Sequence, residues 1–265
     1  MDTMSLTAKY EDEMIAIRRH IHRHPELSNK EYKTTEFIRE KLTEYGVEIA
    51  EIGMKTGVVA VIRGGKPGKT VAIREDIDAL PMKELTGLPF ASENEGACHS
   101  CGHDIHTTVL LYCAKVLSEI RGELAGTVML IFQPAEEGVR GAKSIVDNGH
   151  LDGVDYLIGS HVTNKKEDDP AVVIPGSYGS LATTKYDVIF HGKSAHAGGS
   201  PEVGRNVMLA VGTAILNLYA IPRHSGGVSR VNVGTVVAGS GRNVIADEAK
   251  MEIEVRGETT EINEY

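Results

Sequence analysis

The fold class of this chain is decided by the stretch Thr127-Val128-Met129-Leu130-Ile131-Phe132-Gln133-Pro134-Ala135-Glu136-Glu137, which joins an apolar run to two adjacent carboxylates. The apolar part, residues 127–132, is typical of a buried strand. The carboxylates follow at its carboxyl end, where open α/β sheets bind ligands. Adjacent carboxylates point in different directions, so one can hold a metal ion while the other accepts a proton from water. The alternative interpretation is an ordinary solvated pair beyond a strand.

Strands and helices alternate on both sides of this stretch, which favours a three-layer α/β/α domain. Ser28-Asn29-Lys30-Glu31 has the spacing of a capping box and predicts a helix that ends at Gly46. A turn rich in glycine and proline, residues 64–68, separates two of the strands. The predicted strands are 58–62, 70–77, 127–132 and 156–160, and the other predicted helices are one that ends at Pro25, 107–120 and 142–146.

A second domain is indicated by a change in the pattern near Ser177. The predicted order is strand, helix, strand, strand, over residues 185–191, 206–219, 229–237 and 249–256. This order resembles the first part of a ferredoxin-like split βαβ unit, whose second helix would begin close to Tyr265. We therefore predict two domains, residues 1–178 and 179–265.

The composition is that of a globular protein, with 41% hydrophobic and 25% charged residues among 265. The formal net charge is −9, from 28 Lys+Arg against 37 Asp+Glu, and the absence of a dense basic run argues against a nucleic-acid partner. No stretch approaches the ~20 apolar residues of a membrane span, and no signal-peptide pattern is present, so a cytoplasmic protein without a membrane partner is expected. The crowded Cys98, Cys101 and Cys113 suggest a metal ligand or a buried thiol rather than disulfides.

Ligands for a metal ion are concentrated in Cys98-His99-Ser100-Cys101-Gly102-His103-Asp104. Cys101 and His103, with a glycine between them, can turn a thiolate and an imidazole toward one ion. Either Asp78 or Asp104 could orient such an imidazole. The alternative is that Cys98 and Cys101 form half of a structural zinc site, which would need a second Cys/His pair that is not evident.

Other histidines occur in contexts that are less specific. His161 follows an apolar strand, where a single histidine is more often structural. His196 lies in the glycine-rich segment 192–199, which could also be a flexible turn. His20, His22 and His24 suggest a further ligand set, but a structural role is favoured because the first helix ends there.

The combined motifs resemble those of the M20 metallo-amidohydrolases, a group that includes hippurate and auxin-conjugate hydrolases. The matching segments occur in the expected order over nearly the whole chain. The later segments, including Gly204-Arg205-Asn206 and Gly241-Arg242-Asn243-Val244, are similar to the members that split p-aminobenzoyl-glutamate, a folate breakdown product. The main motifs are Arg74-Glu75-Asp76-Ile77-Asp78-Ala79-Leu80-Pro81, Cys101-Gly102-His103-Asp104, Gln133-Pro134-Ala135-Glu136-Glu137, Gly159-Ser160-His161 and Gly192-Lys193-Ser194-Ala195-His196.

The resemblance implies a zinc-peptidase-like catalytic domain with an inserted ferredoxin-like lid and dimerisation domain. It implies a pair of divalent ions, Mn²⁺ or Zn²⁺, that polarise the amide carbonyl and lower the pKa of water from 15.7 toward ~7. Glu136 matches the general base, and His196 matches the lid histidine that stabilises the tetrahedral oxyanion. Arg242 and Asn243 match lid residues that meet the substrate, although Arg256 could serve instead, and a surface salt bridge would explain either arginine equally well. The implied metal ligands are Cys101, His103, Glu137 and His161.

The implied activity is hydrolysis of the amide bond in p-aminobenzoyl-glutamate or a similar N-acyl amino acid. Family members also suggest a homodimer, or a heterodimer with a related subunit. They continue beyond the position that matches Tyr265, where they complete both domains and supply a final histidine ligand. The resemblance therefore predicts two incomplete domains in a C-terminally truncated chain. The alternatives are an M20 enzyme for other N-acyl amino acids and a non-catalytic subunit that retains the fold.

Overall fold

The chain divides into two compact units, Met1–Asp168 and Asp169–Tyr265. The computed structural model describes residues 3–137, 141–163 and 179–265, together with the single positions 173 and 176. Ser177 and residue 178 lie outside the described part, so the domain boundary between residues 178 and 179 stays a prediction.

The first unit is built on a five-stranded mixed sheet. The strand order is β1-β2-β4-β3-β5, with β3 parallel to both β4 and β5. Asp76 pairs with Gln133, and Arg74 pairs with Gly159, so the three parallel strands end at the same edge of the sheet. The strands are β1 (Glu48–Ile49), β2 (Val58–Arg63), β3 (Lys66–Asp76), β4 (Ala125–Gln133) and β5 (Tyr156–Gly159).

Helices cover both faces of this sheet. Leu130 and Phe132 of β4 are buried with apolar residues of α2, α3 and α4, whereas Ile131 is buried on the opposite face with Ile145 of α5. The central strand β4 is therefore covered on both sides, which explains its apolar run. The predicted three-layer α/β/α class is confirmed. The helices are α1 (Thr3–Ala8), α2 (Glu11–Arg23), α3 (Tyr32–Glu44), α4 (His103–Glu119) and α5 (Gly141–Asp147).

The second unit has the predicted strand-helix-strand-strand order. Its sheet is antiparallel with the order β6-β8-β7, which is that of the first three strands of a ferredoxin-like fold. Val207 and Val211 of α6 are buried with Ala249 of β8 against the sheet. The helix expected near the chain end is also observed. The elements are β6 (Ala182–His191), α6 (Val207–Ala220), β7 (Ser229–Ala238), β8 (Glu248–Gly257) and α7 (Thr260–Glu264).

Two details of the helix predictions are wrong. Ser28 does not cap α3, which begins at Tyr32 without a side-chain cap; instead its hydroxyl donates a 2.6 Å hydrogen bond to Asp78. The next long helix, α4, begins at His103 rather than near Thr107, because Gly102 adopts a φ of +84° and starts it. Among the described residues, no helix is long and apolar enough to cross a bilayer.

A buried polar cluster joins α2 to the first turn of α4. His22 Nδ1 donates to Asp104 Oδ2 at 2.7 Å, and Arg18 Nε lies 2.7 Å from the same oxygen. The hydrogen bond to Asp104 raises the pKa of His22 above its ordinary value. His22 is thus a structural residue at the end of α2, as the sequence favoured. The rings of His20 and His24 contact each other in a tilted arrangement, with centroids 4.6 Å apart.

Stability is expected to depend on the protonation of His22. Because its pKa is raised on folding, the protonated ring stabilises the fold fully below pH ~6.5, and this contribution disappears as the pH rises through the folded pKa. We predict that His22→Gln lowers the free energy of unfolding by about 1.5–3 kcal/mol at pH 5.5 and by less at pH 8.5. Urea unfolding of both proteins at the two pH values measures this difference. An equal loss at both would contradict a charged hydrogen bond.

Candidate metal centre

Functional side chains converge where the three parallel strands end. Residues 77 and 78 leave β3, residues 134–137 leave β4, and residues 160 and 161 leave β5. Cys101 and His103 reach the same edge from the start of α4. Among the described residues, three groups with metal-ligand atoms within 4.8 Å of one another result, and His103 belongs to all of them. The groups are Cys101–His103–His161, His103–Glu136–Glu137 and Asp76–His103–His106.

His103 is held in the tautomer that a metal ligand requires. Its ring is fully buried, and Nδ1 donates to the carbonyl oxygen of Asp78 at 2.8 Å. The Asp78 carboxylate lies 3.3 Å from the same nitrogen. In the neutral ring Nε2 then carries the lone pair; this atom has no hydrogen-bond partner among the described residues and lies 3.9 Å from Glu137. A histidine that binds a metal ion through one ring nitrogen usually donates a hydrogen bond from the other. His103 has this geometry, with Nδ1 bonded to Asp78 and Nε2 unpaired beside the Glu137 carboxylate.

Cys101 and His161 face each other across the same opening. Cys101 Sγ lies 3.2 Å from His161 Nε2, while His161 Nδ1 donates to the carbonyl of Val162. Burial and the carboxylate of Glu137 raise the pKa of Cys101 to about 12. A divalent cation here would favour the thiolate, so metal binding should release a proton. Cys98 is buried separately, with its sulfur 3.2 Å from the Ser100 hydroxyl, and all three cysteines are free thiols.

A strained turn presents the two adjacent carboxylates. Ala135 has a φ of +51°, which is uncommon for a residue with a side chain. Its N–H donates to the buried carboxylate of Glu31 at 2.8 Å, and this bond holds the turn. Glu137 then turns inward, with one oxygen buried and unpaired, whereas the carboxylate of Glu136 is exposed and makes no hydrogen bond or ion pair with the described residues. The Glu137 carboxylate is thus available to bind a metal ion, and the Glu136 carboxylate is available to accept a proton.

The two aspartates proposed to orient an imidazole lie in different places. Asp78 contacts His103, and it accepts hydrogen bonds from Ser28 and from the backbone of Glu137. Burial raises the pKa of Asp78, but these hydrogen bonds outweigh it and keep the pKa below its ordinary value. Asp104 instead pairs with His22 and Arg18 on the far side of the first turn of α4.

The group that contains Asp76 and His106 was not foreseen from the sequence. Burial raises the pKa of Asp76 to about 7, although Arg74 forms an ion pair with it. His106 Nε2 accepts the N–H of Val162 at 3.0 Å, so the neutral ring carries its proton on Nδ1. Burial, with His103 and His161 nearby, lowers the pKa of His106 to about 3. Because neither nitrogen then offers a free lone pair, His106 does not fit a metal ligand here.

The lid candidates come together within the second unit. His196 Nδ1 accepts the N–H groups of Gly198 and Gly199 at 3.1 and 2.9 Å, so the neutral ring carries its proton on Nε2. Its backbone bridges to Val244, which places the ring beside the segment that contains Asn243. Arg242 lines a cavity of about 410 Å³ and has no ion-pair partner among the described residues. Arg256 is bound through two hydrogen bonds to Glu254, which is the surface salt bridge considered as its alternative.

Gly102 is expected to be essential for the geometry of this centre. A Cβ atom at this position would lie 2.4 Å from Val162 Cγ2, and its φ of +84° disfavours side chains. We predict that Gly102→Ala weakens Mn²⁺ affinity by at least tenfold, measured by competition with a chelator. Gly87→Ala is the matched control, because Gly87 also has a positive φ but no atom within 4 Å of its would-be Cβ. Equal affinities in the two variants would refute the steric role.

The donor set fits a divalent transition metal ion. It combines a thiolate, two imidazoles and a carboxylate, and two of its atoms, His103 Nε2 and Glu137 Oε1, are buried without hydrogen-bond partners among the described residues. Buried polar atoms are normally paired, so these two point to a ligand. Sulfur and nitrogen donors suit Zn²⁺, and carboxylates also suit Mn²⁺. The fold and the site together define an α/β protein with a cluster of potential metal ligands at the carboxyl edge of its sheet.

Comparison with known proteins identifies the family. The profile of Peptidase family M20/M25/M40 matches residues 72–264. An indole-3-acetyl-aspartic acid hydrolase of Enterobacter agglomerans is 48% identical over 79% of this chain and 49% of its own length. One p-aminobenzoyl-glutamate hydrolase subunit of Escherichia coli (strain K12) is 46% identical over 79% of this chain and 49% of its own length. The chain thus spans about half the length of these two relatives.

A solved structure of a metal-binding protein is also similar to this chain. A Bacillus subtilis protein, described as a dinuclear metal binding peptidase from the M20 family, superimposes with a TM-score of 0.69 at 36% identity. The match covers 97% of this chain and 67% of the other. The chain belongs to the M20 metallopeptidase family, as its motifs indicated.

Proposed function

We propose that this protein is a two-metal amidohydrolase that cleaves p-aminobenzoyl-glutamate or a closely related N-acyl amino acid. The observation that carries the proposal is the state of His103, whose Nδ1 is anchored by Asp78 while the buried Nε2 has no partner among the described residues. This histidine is shared by all three groups of ligand atoms. Such a centre is what M20 hydrolysis of an amide bond requires.

The residues divide into ligands and a proton carrier. Cys101, His103, Glu137 and His161 would hold the ions, which when bound polarise the scissile carbonyl and acidify water. Glu136 has an exposed carboxylate beside them, with no hydrogen-bond or ion-pair partner among the described residues. It takes a proton from the attacking water and delivers it to the departing nitrogen, which is the role of a general base that later acts as an acid.

His196 supplies a donor for the negative oxygen of the tetrahedral intermediate. The two glycine N–H groups occupy Nδ1, so the proton on Nε2 points away from the loop and can be donated. A neutral imidazole fixed in this tautomer stabilises developing negative charge without losing its own proton. We propose that Asn243, from the adjacent lid segment, contacts the substrate together with His196. We also propose that the protein acts as a dimer with a partner subunit.

The proposed substrate class is supported by two of the similar relatives. The names of two of them specify an aromatic acyl group joined to aspartate or glutamate. Such a substrate carries a second carboxylate, and the net charge of −9 means that its recognition must be local. Arg242 is the candidate, because its guanidinium is unpaired among the described residues and lines the lid cavity.

Substrate recognition by Arg242 is tested with paired substrates. We predict that Arg242→Met raises KM for p-aminobenzoyl-glutamate and indole-3-acetyl-aspartate by about 10- to 100-fold, because a charged hydrogen bond is worth about 1.5–3 kcal/mol. The KM for p-aminobenzoyl-alanine, which lacks the second carboxylate, should change less than threefold. Arg256→Met is the matched control. If Arg256→Met raises KM selectively for the acidic conjugates and Arg242→Met does not, Arg256 is the recognition residue. The conjugate with the higher kcat/KM is the preferred substrate of the two.

A further inference from the structure

The segment Ser160-His161-Val162 is held on both sides of the candidate ligand His161. On one side, the Ser160 hydroxyl donates to Glu75 Oε1 at 2.5 Å. On the other side, the Val162 N–H donates to His106 Nε2 at 3.0 Å. Glu75 and His106 are both buried, with exposed fractions of 2%, whereas the segment they hold is exposed. Neither residue belongs to the ligand set that the motifs imply.

His106 also contacts the candidate ligands through its ring. It stacks on His103 with a centroid distance of 5.1 Å, and it forms a T-shaped contact with the ring of His161 at a centroid distance of 4.6 Å. Its Nδ1 lies 3.8 Å from Glu75 Oε2, and neither atom has a hydrogen-bond partner among the described residues. His106 therefore lies between two imidazoles and faces a buried carboxylate that holds the far end of the same segment.

We propose that His106 and Glu75 are positioning residues that fix the backbone around His161 and so aim its Nε2 at Cys101. The inference rests on the metal centre of the proposed function. The geometric reason is that β5 ends at Gly159, so the ladder hydrogen bonds of the sheet stop before His161. The two side-chain bonds take their place on either side of the histidine. Val162 is also confined by its packing against Gly102, directly between Cys101 and His103.

A fixed segment would set the tautomer of His161 before any ion binds. Its Nδ1 donates to the carbonyl of Val162, whose N–H is the group held by His106. If the hydrogen bond from the Val162 N–H to His106 is lost, the backbone of Val162 can move. Its carbonyl oxygen, which accepts the hydrogen bond from His161 Nδ1, then moves as well. Positioning residues of this kind commonly change metal affinity or activity by about 10- to 100-fold.

The test compares His106→Leu with His106→Gln, whose amide oxygen can replace Nε2 as the acceptor for Val162. The first readout is the tautomer of His161 in metal-free protein, measured by long-range ¹H–¹⁵N correlation of the histidine rings. The second is Co²⁺ affinity, measured from the visible absorption of the bound ion. Glu75→Gln, which keeps an acceptor for Ser160, is compared with Glu75→Leu in the same way.

In the wild type and in His106→Gln, we expect His161 to be protonated on Nδ1, with Co²⁺ affinities within about threefold of each other. In His106→Leu we expect mixed tautomers and affinity weaker by about 10- to 100-fold. Wild-type tautomer and affinity in a folded His106→Leu would overturn the inference, even with a functional metal centre. Failure of the wild type to bind any ion would instead refute the proposed function. In that case the tautomer in the metal-free variants still decides the positioning role.

Discussion

Replacing Glu136 with glutamine is expected to lower kcat/KM for p-aminobenzoyl-glutamate by about 10²- to 10⁴-fold, while metal content stays unchanged. The amide has nearly the same shape but cannot take a proton from water. The Glu136 carboxylate is exposed and has no hydrogen-bond or ion-pair partner among the described residues, so the substitution should leave the fold intact. Hydrolysis rates and bound metal, measured on the same preparation, test both halves of this expectation.

The neighbouring Glu137→Gln is the matched control, because the same chemical change is made one residue away. Glu137 has a buried, unpaired oxygen 3.9 Å from His103, so its loss should weaken metal binding first. If Glu136→Gln loses the metal ions and Glu137→Gln keeps them, the roles of base and ligand are exchanged. If Glu136→Gln retains normal turnover, Glu136 is not the base.

Removal of His103 is expected to abolish metal binding at this centre. His103 is common to all three groups of ligand atoms, so no group remains complete without it. Mutation of a residue that only orients a metal ligand commonly lowers metal affinity by about 10- to 100-fold. Since His103 is proposed as a ligand itself, we expect His103→Ala to weaken Mn²⁺ and Zn²⁺ binding by more than about 100-fold. Isothermal titration of metal-free protein measures the change.

His150→Ala is the control for His103→Ala, because His150 is a histidine of the same unit that lies outside the candidate metal centre. His150 Nε2 donates to the carbonyl of Ile52 at 3.0 Å, and its removal should cost stability without affecting metal affinity. Equal affinities for His103→Ala and the wild type would show that the ions, if bound, are held elsewhere. Circular dichroism of each variant separates loss of the site from loss of the fold.

Four strands of the first sheet and their carboxyl ends could be predicted from the sequence because those signals are local. The short strand β1 was not predicted, and the turn predicted at residues 64–68 is wrong in part, because β3 already begins at Lys66, which pairs with Ala125 of β4. The apolar run of residues 127–132 and the strand at residues 70–77 both form parallel neighbours in the central sheet. Because parallel strands end at the same edge of a sheet, the motif residues that follow these strands are expected to lie close together. The antiparallel placement of β2 beside β4 was not predicted, since pairing of distant strands leaves no mark in either segment alone.

The residues that support the centre could not be predicted, because their partners are distant in sequence. Ser28 was assigned to a helix cap, although its hydroxyl hydrogen-bonds to Asp78. Glu31 holds the turn at Ala135, which is 104 residues away. His106 resembles any buried helix residue until the fold brings Val162 to it. In each case a long-range hydrogen bond overrides the local signal.

The presence of a catalytic metal centre is decided by the metal content of the purified wild-type chain beside that of His103→Ala, with p-aminobenzoyl-glutamate hydrolysis followed in added Mn²⁺. We expect stoichiometric Mn²⁺ or Zn²⁺ in the wild type, little in the variant, and hydrolysis only where the metal ions are bound. Equal metal content in the two proteins, or none in either, would contradict a centre built on Cys101, His103, Glu137 and His161.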